Sequence, residues 1–499
     1  MDQLIWFVGL ATSVKVLLIP AYFSTDFEVH RHWLSLTHSL PLARWYSDET
    51  SIWTLDYPPF FAFFEFFLSI FAHFIDPQIT DLQNGSNYRA NSVIYFQRAT
   101  VIVSDFFLAY AVHRLTKKLE DTRMRSLIWI LIIWSPGLMM VDHIHFQYNG
   151  FVLGLLMLSI SYLQEGRDLR GGFLFAVLLC FKHLFAVAAP LYFVYLLRHY
   201  CWKRLLTRLP AIGAIVIAVF AAAYGPFAYH GQMRWVISRM FPFGRGLCHA
   251  YWAPNFWVFY VLTDKVLGFL LKKLGLNISI PAAGFTGGLV GDSSTFAVLP
   301  QVTPFITFIL VLLALIPCLV KAWRNPQPNL IARWISYAYT CGYMFGWHVH
   351  EKASLHFVIP MAIVAVTSLE DSSHYFLLSL VSGYSLFPLL YEAQEYPIKV
   401  FLMLLHAMLM WHGFSALFSS KLATNSTTKK RVTPFSNKGG AFRKIYVIGL
   451  PIVEIWSQFL HPFFLGNKFP FAKLILISLY CALGITYSWL WQLRNMLSS

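Results

Sequence analysis

The sequence predicts an all-α polytopic membrane protein with about fourteen transmembrane helices and two long loops on the non-cytosolic side. Of its 499 residues, 57% are hydrophobic and only 12% are charged, whereas soluble domains carry about 25% charged residues. Uncharged apolar runs recur along the chain, and runs of about 18–20 residues are long enough to cross a hydrocarbon core of ~30 Å. Continuous runs favour helices over barrel strands, because in lipid each backbone polar group must be satisfied within its own segment.

Short basic loops fix the predicted topology. The chain has a net charge of +15, and the excess Lys and Arg lies between apolar runs, as the positive-inside rule expects of cytosolic loops. This placement favours a membrane topology over nucleic-acid binding and predicts that both termini are cytosolic. The predicted spans are residues 4–22, 97–114, 126–141, 149–163, 210–228, 299–320, 330–346, 353–369, 374–391, 398–417, 444–461 and 471–491. Residues 172–197 form either two short passes that turn near Lys182 and His183 or one re-entrant hairpin.

Neither cysteine nor histidine spacing predicts a metal site. The six cysteines have no CxxC spacing and lie mostly in apolar runs, which is typical of small buried hydrophobes. The stretch His348–Lys352 reads HVHEK, which is not the HExxH spacing of a helical zinc site. We therefore expect no metal.

Asp26 is the first candidate for chemistry. It follows the first span directly, so it lies at the lipid–water boundary, where partial desolvation makes a carboxylate more basic. Nearby Arg31 is predicted to keep it ionised, and Glu28 adds a second carboxylate to the same stretch. An ionised carboxylate there suits a general base for a hydroxyl. The alternative is that Asp26 only caps the following helix.

A second acidic position is presented by prolines. Asp56 and Tyr57 precede Pro58 and Pro59, and the prolines favour an extended approach to the next element. The alternative is an ordinary entry into a helix with Pro in its first turn.

Polar residues also cluster between predicted spans on the non-cytosolic side. Histidine, lysine and arginine at such depth supply the N–H donors and positive charge that hold a lipid phosphate. The candidates for this are Lys182, Arg245, His348, His350 and Lys352, and the neighbouring polar or aromatic candidates are Asp142, His143, His145, Gln147 and Trp252.

Several of these stretches together carry a family resemblance. They read STDFEVHRHW, WTLDYPPFFAFFE, VDHIHFQYNGF, FKH, FPFGRGLCHAYWAPNFW and MFGWHVHEKA. The chain resembles the dolichyl-phosphate-glucose-dependent α-1,3-glucosyltransferases of the endoplasmic reticulum, which have the GT-C fold. These multi-pass enzymes build the lipid-linked oligosaccharide for N-glycosylation.

The resemblance implies an inverting enzyme without a cofactor and with a lumenal site. Dolichyl phosphate glucose would be the donor and a dolichol-pyrophosphate-linked oligosaccharide the acceptor, with ER membrane lipids around a monomeric enzyme. Asp26 matches the family's catalytic carboxylate, and Asp56 matches a second acidic position. The phosphate would be held by His348, with His350, Lys352, Arg245 and Lys182 as further candidates. Glu28, Arg31, Tyr57, Asp142, His143, His145, Gln147 and Trp252 would contact the acceptor or shape the site.

The family has two close members that add successive glucoses. The stretch CHAYWAPNFW at residues 248–257 replaces an acidic segment associated with the first member. The chain therefore looks like the second member, and an acidic residue of the first enzyme's site cannot be assigned to His249 or Ala250. The predicted organisation is a catalytic module at 1–230 that includes the first lumenal loop (23–97), a second lumenal loop at 231–298, and a C-terminal transmembrane module at 299–499.

Three other functions stay open from the sequence: the first glucosyltransferase, a lipid transporter or scramblase, and a non-catalytic assembly subunit. Transporters place ionisable residues near the midplane of internally repeated, broken helices. Here the polar clusters lie at span ends and no repeat is visible, which favours an enzyme.

Overall fold

A computed structural model describes residues 2–249, 253–278, 296–423, 432–437, 439–466 and 468–498. It divides into two compact units. The first, unit 1, comprises Met1–Pro242, Ala322–Ile331 and Leu390–Leu402, and unit 2 comprises Phe243–Lys321, Ala332–Leu389 and Met403–Ser499. The three-part organisation predicted from the sequence remains a prediction.

Apart from one isolated bridge between Cys248 and Val349, every regular element in these described ranges is helical. The α-helices of at least eight residues are Asp2–Leu17, Thr25–Ser39, Pro59–Ile75, Asn91–Thr116, Thr122–Ile133, Asn149–Gln164, Asp168–Phe181, Ala189–Leu196, Leu205–Tyr229, Met233–Met240, Phe256–Lys273, Pro304–Arg324, Ile331–Phe345, Leu355–Ala365, Leu369–Ser385, Tyr396–Ala423, Gly440–Ile455 and Ala472–Ser498.

Seven helical segments in the described part of the chain are long and apolar enough to cross a membrane. They are Asn91–Thr116, Thr122–Phe146, His183–Tyr229, Pro304–Arg324, Ala393–Ser420, Gly440–Leu465 and Ala472–Ser498. Leu4–Leu17, Pro59–Ile75 and Asn149–Gln164 are shorter apolar helices. The prediction of a helical, multi-pass membrane protein is confirmed, and the count of fourteen crossings stays a prediction. All six cysteines are buried and free, as expected from their apolar surroundings.

Two helices of the first long loop pack against each other in unit 1. Thr25–Ser39 buries Phe27, Trp33 and Leu36, and Pro59–Ile75 buries Phe61 in the same core. The second helix begins at a proline, whose fixed φ suits the first helical turn. Tyr57, just before it, packs its ring against Phe61 at 4.7 Å between centroids. This packing anchors the helix that carries Asp26.

The helical path between the third and fourth predicted spans is unusual. After Pro136, residues Met139–Phe146 form a π-helix that is buried along its whole length. Single π-helical turns are rare and occur often at functional sites. Phe146 has φ +86°, a left-handed conformation that costs a bulky residue of order 1–3 kcal/mol. This segment contains Asp142, His143 and His145.

A break at Lys182 interrupts the 172–197 stretch. Helix Asp168–Phe181 ends at Lys182, whose φ and ψ are −150° and 103°, and Ala189–Leu196 begins after a short 3₁₀ segment. The helix therefore breaks at Lys182, where the turn was predicted, and the choice between two short passes and a re-entrant hairpin stays open.

In unit 2, helix Phe256–Lys273 follows the Asn255 N-cap. Its Asp264 is buried and accepts the backbone N–H groups of Ala297, Val298 and Leu299 at 2.8–3.0 Å. Asp264 thus ties the helix to the chain that returns from the second loop.

Candidate functional site

Asp26 lies in the first turn of helix Thr25–Ser39, and it is not the capping residue. Ser24 is the N-cap: its Oγ accepts the Asp26 N–H at 3.1 Å and donates to the His145 carbonyl at 2.5 Å. The Asp26 carboxylate is therefore available for other contacts, and its side chain is 26% exposed. An acidic group in a first helical turn is also stabilised by the helix dipole.

Two side chains from the end of the π-helix reach Asp26. Gln147 Nε2 donates to Asp26 Oδ2 at 2.7 Å, and His145 Nε2 lies 3.3 Å from the same oxygen. Phe146 stands between them in sequence with its positive φ. The strained backbone thus lies where the carboxylate receives its partners.

A second layer of polar groups supports Gln147. Asn149 Nδ2 donates to Gln147 Oε1 and to Asp142 Oδ1, both at 2.9 Å. The Gly150 N–H donates to Asp142 Oδ2 at 2.6 Å, and Lys182 Nζ donates to Asn149 Oδ1 at 2.9 Å. Lys182 also lies 5.6 Å from the centroid of the Tyr57 ring. Six of the candidates from the sequence therefore belong to one cluster, the Asp26 cluster: Asp26, His145, Gln147, Asp142, Lys182 and Tyr57.

Arg31, which was predicted to keep Asp26 ionised, has other partners in the structure. Arg31 is buried and pairs with Glu28 at 2.8 Å, and its Nη1 donates to the Ile79 carbonyl at 3.2 Å. Residues three apart share a helix face, whereas Asp26 and Arg31 are five apart. Arg31 therefore forms its ion pair with Glu28, while His145 is a titratable side chain that contacts Asp26, and the influence of Arg31 on the ionisation of Asp26 stays a prediction.

Asp56 and Tyr57 lie close enough to act on one another electrostatically. Burial raises the pKa of the Tyr57 phenol well above its usual value, and the negative charges of Asp56 and Asp26 raise it further. Tyr57 therefore stays protonated at neutral pH and is unsuited to act as a base.

Sequence reasoning missed a buried ionic group next to this cluster. Lys15 Nζ and His143 Nε2 both contact Asp105 Oδ2, at 2.5 and 2.7 Å. Lys15 belongs to the first predicted span and Asp105 to the second. A single ionisable residue inside an apolar run has an unfavourable burial free energy and is usually paired with another such residue. Applied to Lys15 and Asp105, this rule would have identified both residues. Asn149 stands in the same polar stretch as Asp142 and Gln147 but was not chosen as a site residue, because it begins a helix and carries no charge.

Arg98, inside the second predicted span, was also missed. It is 2% exposed, and it donates to the carbonyls of His143, Ile144 and Tyr22 at 2.7, 2.9 and 2.9 Å. The last carbonyls of a helix have no intrahelical partner. Arg98 therefore closes the end of the π-helix and ties it to the segment before Asp26.

In unit 2, His348 is held in a loop after helix Ile331–Phe345. Its Nδ1 lies 2.7 Å from the Gly246 carbonyl, its N–H donates to the Leu247 carbonyl at 3.0 Å, and its φ is +49°. Trp347 Nε1 donates to the Arg245 carbonyl at 3.1 Å. Burial lowers the pKa of His348 despite its hydrogen bond to Gly246, and the Arg245 charge lowers it further.

Three more titratable residues adjoin His348. The rings of His249 and His350 lie 3.7 Å apart, and His249 Nδ1 lies 3.9 Å from Glu351 Oε2. His249, His350 and Glu351 each offer a ligand atom, all within 4.8 Å of one another. These three residues could therefore hold a metal ion, and the expectation of no metal stays a prediction. Trp252 lies outside the described residues. We name Arg245, His249, His348, His350 and Glu351 the His348 cluster.

A helical multi-pass membrane fold with a partly exposed carboxylate held by an amide and a histidine is consistent with a membrane glycosyltransferase. The sequence profile of the ALG6, ALG8 glycosyltransferase family matches residues 11–492. The chain belongs to this family, and the predicted resemblance is confirmed.

Curated relatives match nearly the whole chain. The Arabidopsis thaliana protein named dolichyl pyrophosphate Glc1Man9GlcNAc2 alpha-1,3-glucosyltransferase is 68% identical over 498 residues, which cover 99% of this chain and 98% of the relative. Proteins of the same name from Bos taurus and Mus musculus are 44% and 43% identical, each covering 97% of this chain and 94% of the relative.

Proposed function

We propose that the protein transfers glucose from dolichyl phosphate glucose to the terminal glucose of Glc1Man9GlcNAc2-PP-dolichol, forming an α-1,3 linkage. The observation that carries the chemistry is the Asp26 carboxylate, partly exposed and held by Gln147 at 2.7 Å. The acceptor follows the names of the relatives, which cover nearly the whole chain. Those names favour the second glucosyltransferase over the first.

The proposed reaction is a single inverting displacement. Asp26 accepts the proton of the acceptor hydroxyl as the hydroxyl oxygen bonds to C1 of the donor glucose. The bond between C1 and the phosphate oxygen breaks, and its electron pair leaves with dolichyl phosphate. Because the phosphate carries this charge stably, no general acid is required.

The His348 cluster is proposed to bind the donor phosphate. It brings Arg245 and three histidines, His249, His348 and His350, close together. Cationic groups and ring N–H donors form strong, charge-assisted bonds to phosphate oxygens. Lys352, next to the cluster in sequence, is a further candidate.

We place this activity in the endoplasmic-reticulum membrane, with a lumenal site, cytosolic termini and a monomeric enzyme. The positive-inside rule supports the orientation. Both substrates carry polyprenyl chains that stay in the bilayer, which supports a site at headgroup depth in a multi-pass fold.

The decisive assay offers purified protein one donor and two acceptors. With dolichyl phosphate glucose we expect transfer to the Glc1Man9 acceptor and at least about tenfold less to the Man9 acceptor. Linkage analysis of the product should show a new α-1,3 bond to glucose. Preference for the Man9 acceptor would identify the first glucosyltransferase instead, and lipid movement without any glycosidic product would indicate a transporter.

Donor binding should weaken as the pH rises above neutrality. Because burial holds the pKa of free His348 below its usual value, the imidazole is neutral before the donor binds. A bound phosphate favours the protonated ring, so binding takes up a proton. The donor is a phosphodiester and does not titrate in this range. We expect KM for the donor to rise with pH, by less than about tenfold per pH unit.

The matched variants for this measurement are His348→Gln and His230→Gln, the latter at an exposed histidine in unit 1. His348→Gln should flatten the pH dependence of KM, and His230→Gln should preserve it. Arg245, His249, His350 and Glu351 surround His348, so an unchanged slope in His348→Gln would assign the proton to one of the other titratable groups.

A further inference from the structure

A directional series of hydrogen bonds runs from Lys182 to the Asp26 carboxylate. Lys182 Nζ donates to Asn149 Oδ1 at 2.9 Å, and Asn149 Nδ2 donates to Gln147 Oε1 at 2.9 Å. Gln147 Nε2 then donates to Asp26 Oδ2 at 2.7 Å. In each of the three bonds, the donor belongs to the residue farther from Asp26 and the acceptor to the residue nearer to it. All three hydrogen bonds therefore point toward the carboxylate.

The two ends determine how both amides are oriented. An ammonium group has only donors, and an ionised carboxylate has only acceptors. Lys182 therefore requires the oxygen of Asn149, which turns the Asn149 NH₂ toward Gln147. Asp142 requires the same orientation, because its Oδ1 accepts from Asn149 Nδ2 at 2.9 Å. Gln147 in turn presents its NH₂ to Asp26. Hydrogen bonds in such a series polarise and strengthen one another.

We propose that Asn149 is a positioning residue that fixes the catalytic carboxylate through Gln147. Asn149 is 1% exposed, so it acts through its neighbours. Held by Lys182 and Asp142, it keeps the Gln147 amide with its N–H groups toward Asp26, and Gln147 sets the direction of the carboxylate. This inference rests on the proposed function, because it takes Asp26 to be the general base of the reaction.

The first test is Asn149→Leu, which keeps a similar volume and removes both amide contacts. We expect kcat to fall about 10–100-fold, since misplacing a reacting group by ~1 Å costs about that much. KM for donor and acceptor should stay within about twofold, because Asn149 touches neither. Unchanged turnover per folded molecule, even with less folded protein, would overturn the proposal. Gln492→Leu replaces a buried amide in unit 2 and should keep its turnover.

A double-mutant cycle separates positioning from general destabilisation. If Asn149 acts through Gln147, Asn149→Leu should add less than about threefold to the loss in Gln147→Leu, because residues acting as a unit are non-additive. Losses that multiply would overturn the proposal.

Lys182→Met supplies a further variant should Asn149→Leu fail to fold. It should lower kcat with KM for the donor unchanged, because Lys182 acts on Asn149. A higher KM for the donor with unchanged kcat would overturn the part assigned to Lys182. Asp26→Asn is measured alongside: full activity there refutes the proposed base, whereas an inactive Asp26→Asn with a fully active Asn149→Leu refutes only the positioning.

Discussion

Asp26→Asn is expected to lower the rate of glucose transfer by about 10²–10⁴-fold, the usual contribution of a general base. The substitution keeps the shape of the side chain and removes its negative charge. The carbonyl oxygen of the new amide can still accept from Gln147, whose Nε2 reaches the Asp26 carboxylate at 2.7 Å in the unmodified protein. The loss should therefore appear in kcat, measured as glucosylated acceptor formed per folded enzyme.

The control for this prediction is Asp48→Asn, the same change in the same long loop. The Asp48 carboxylate accepts hydrogen bonds from the backbone N–H and the hydroxyl of Thr50, two residues further along. Because these contacts are local, the activity of this variant should match that of the unmodified protein. An Asp26→Asn variant that keeps more than about a tenth of the activity would contradict the role of general base.

The sequence predicted those parts of the site that stand at the ends of apolar runs. Asp26 and Gln147 were identifiable because each is polar beside the end of an apolar run, and Lys182 because it is charged inside the apolar stretch 172–197. The structure brings them together through hydrogen bonds that span up to 121 residues of sequence. Such hydrogen bonds depend on tertiary packing. Local sequence patterns therefore identified residues of the Asp26 cluster but could not predict which of them are hydrogen-bonded to one another.

Two kinds of feature were beyond local patterns. The π-helix Met139–Phe146 departs from the 3.6-residue period on which helix prediction relies, and it decides which side chains face Asp26. The ion pair of Arg31 with Glu28 was not predicted, although residues three apart share one face of a helix. Buried pairs such as Lys15 and Asp105 come from different spans, and only their presence within apolar runs marks them beforehand.

Arg98→Met is expected to lower the free energy of unfolding by about 3–5 kcal/mol, because two buried carbonyl groups and one partly buried carbonyl group lose their donor together. Two of these carbonyls, of His143 and Ile144, end the π-helix, and the third, of Tyr22, precedes Asp26. Methionine matches the stem of the arginine but leaves the helix end unsatisfied.

Thermal unfolding in detergent measures this effect, and transfer per folded molecule should fall as well, because His145 and Gln147 follow the released helix end. Arg98→Lys should recover only part of the stability, since one ammonium cannot reproduce the forked geometry of the guanidinium. Arg234→Met replaces an exposed arginine of unit 1 and should change stability by no more than about 0.5 kcal/mol. Equal stability of the Arg98→Met and Arg234→Met proteins would show that water or another side chain satisfies the three carbonyls, and that the π-helix does not depend on Arg98.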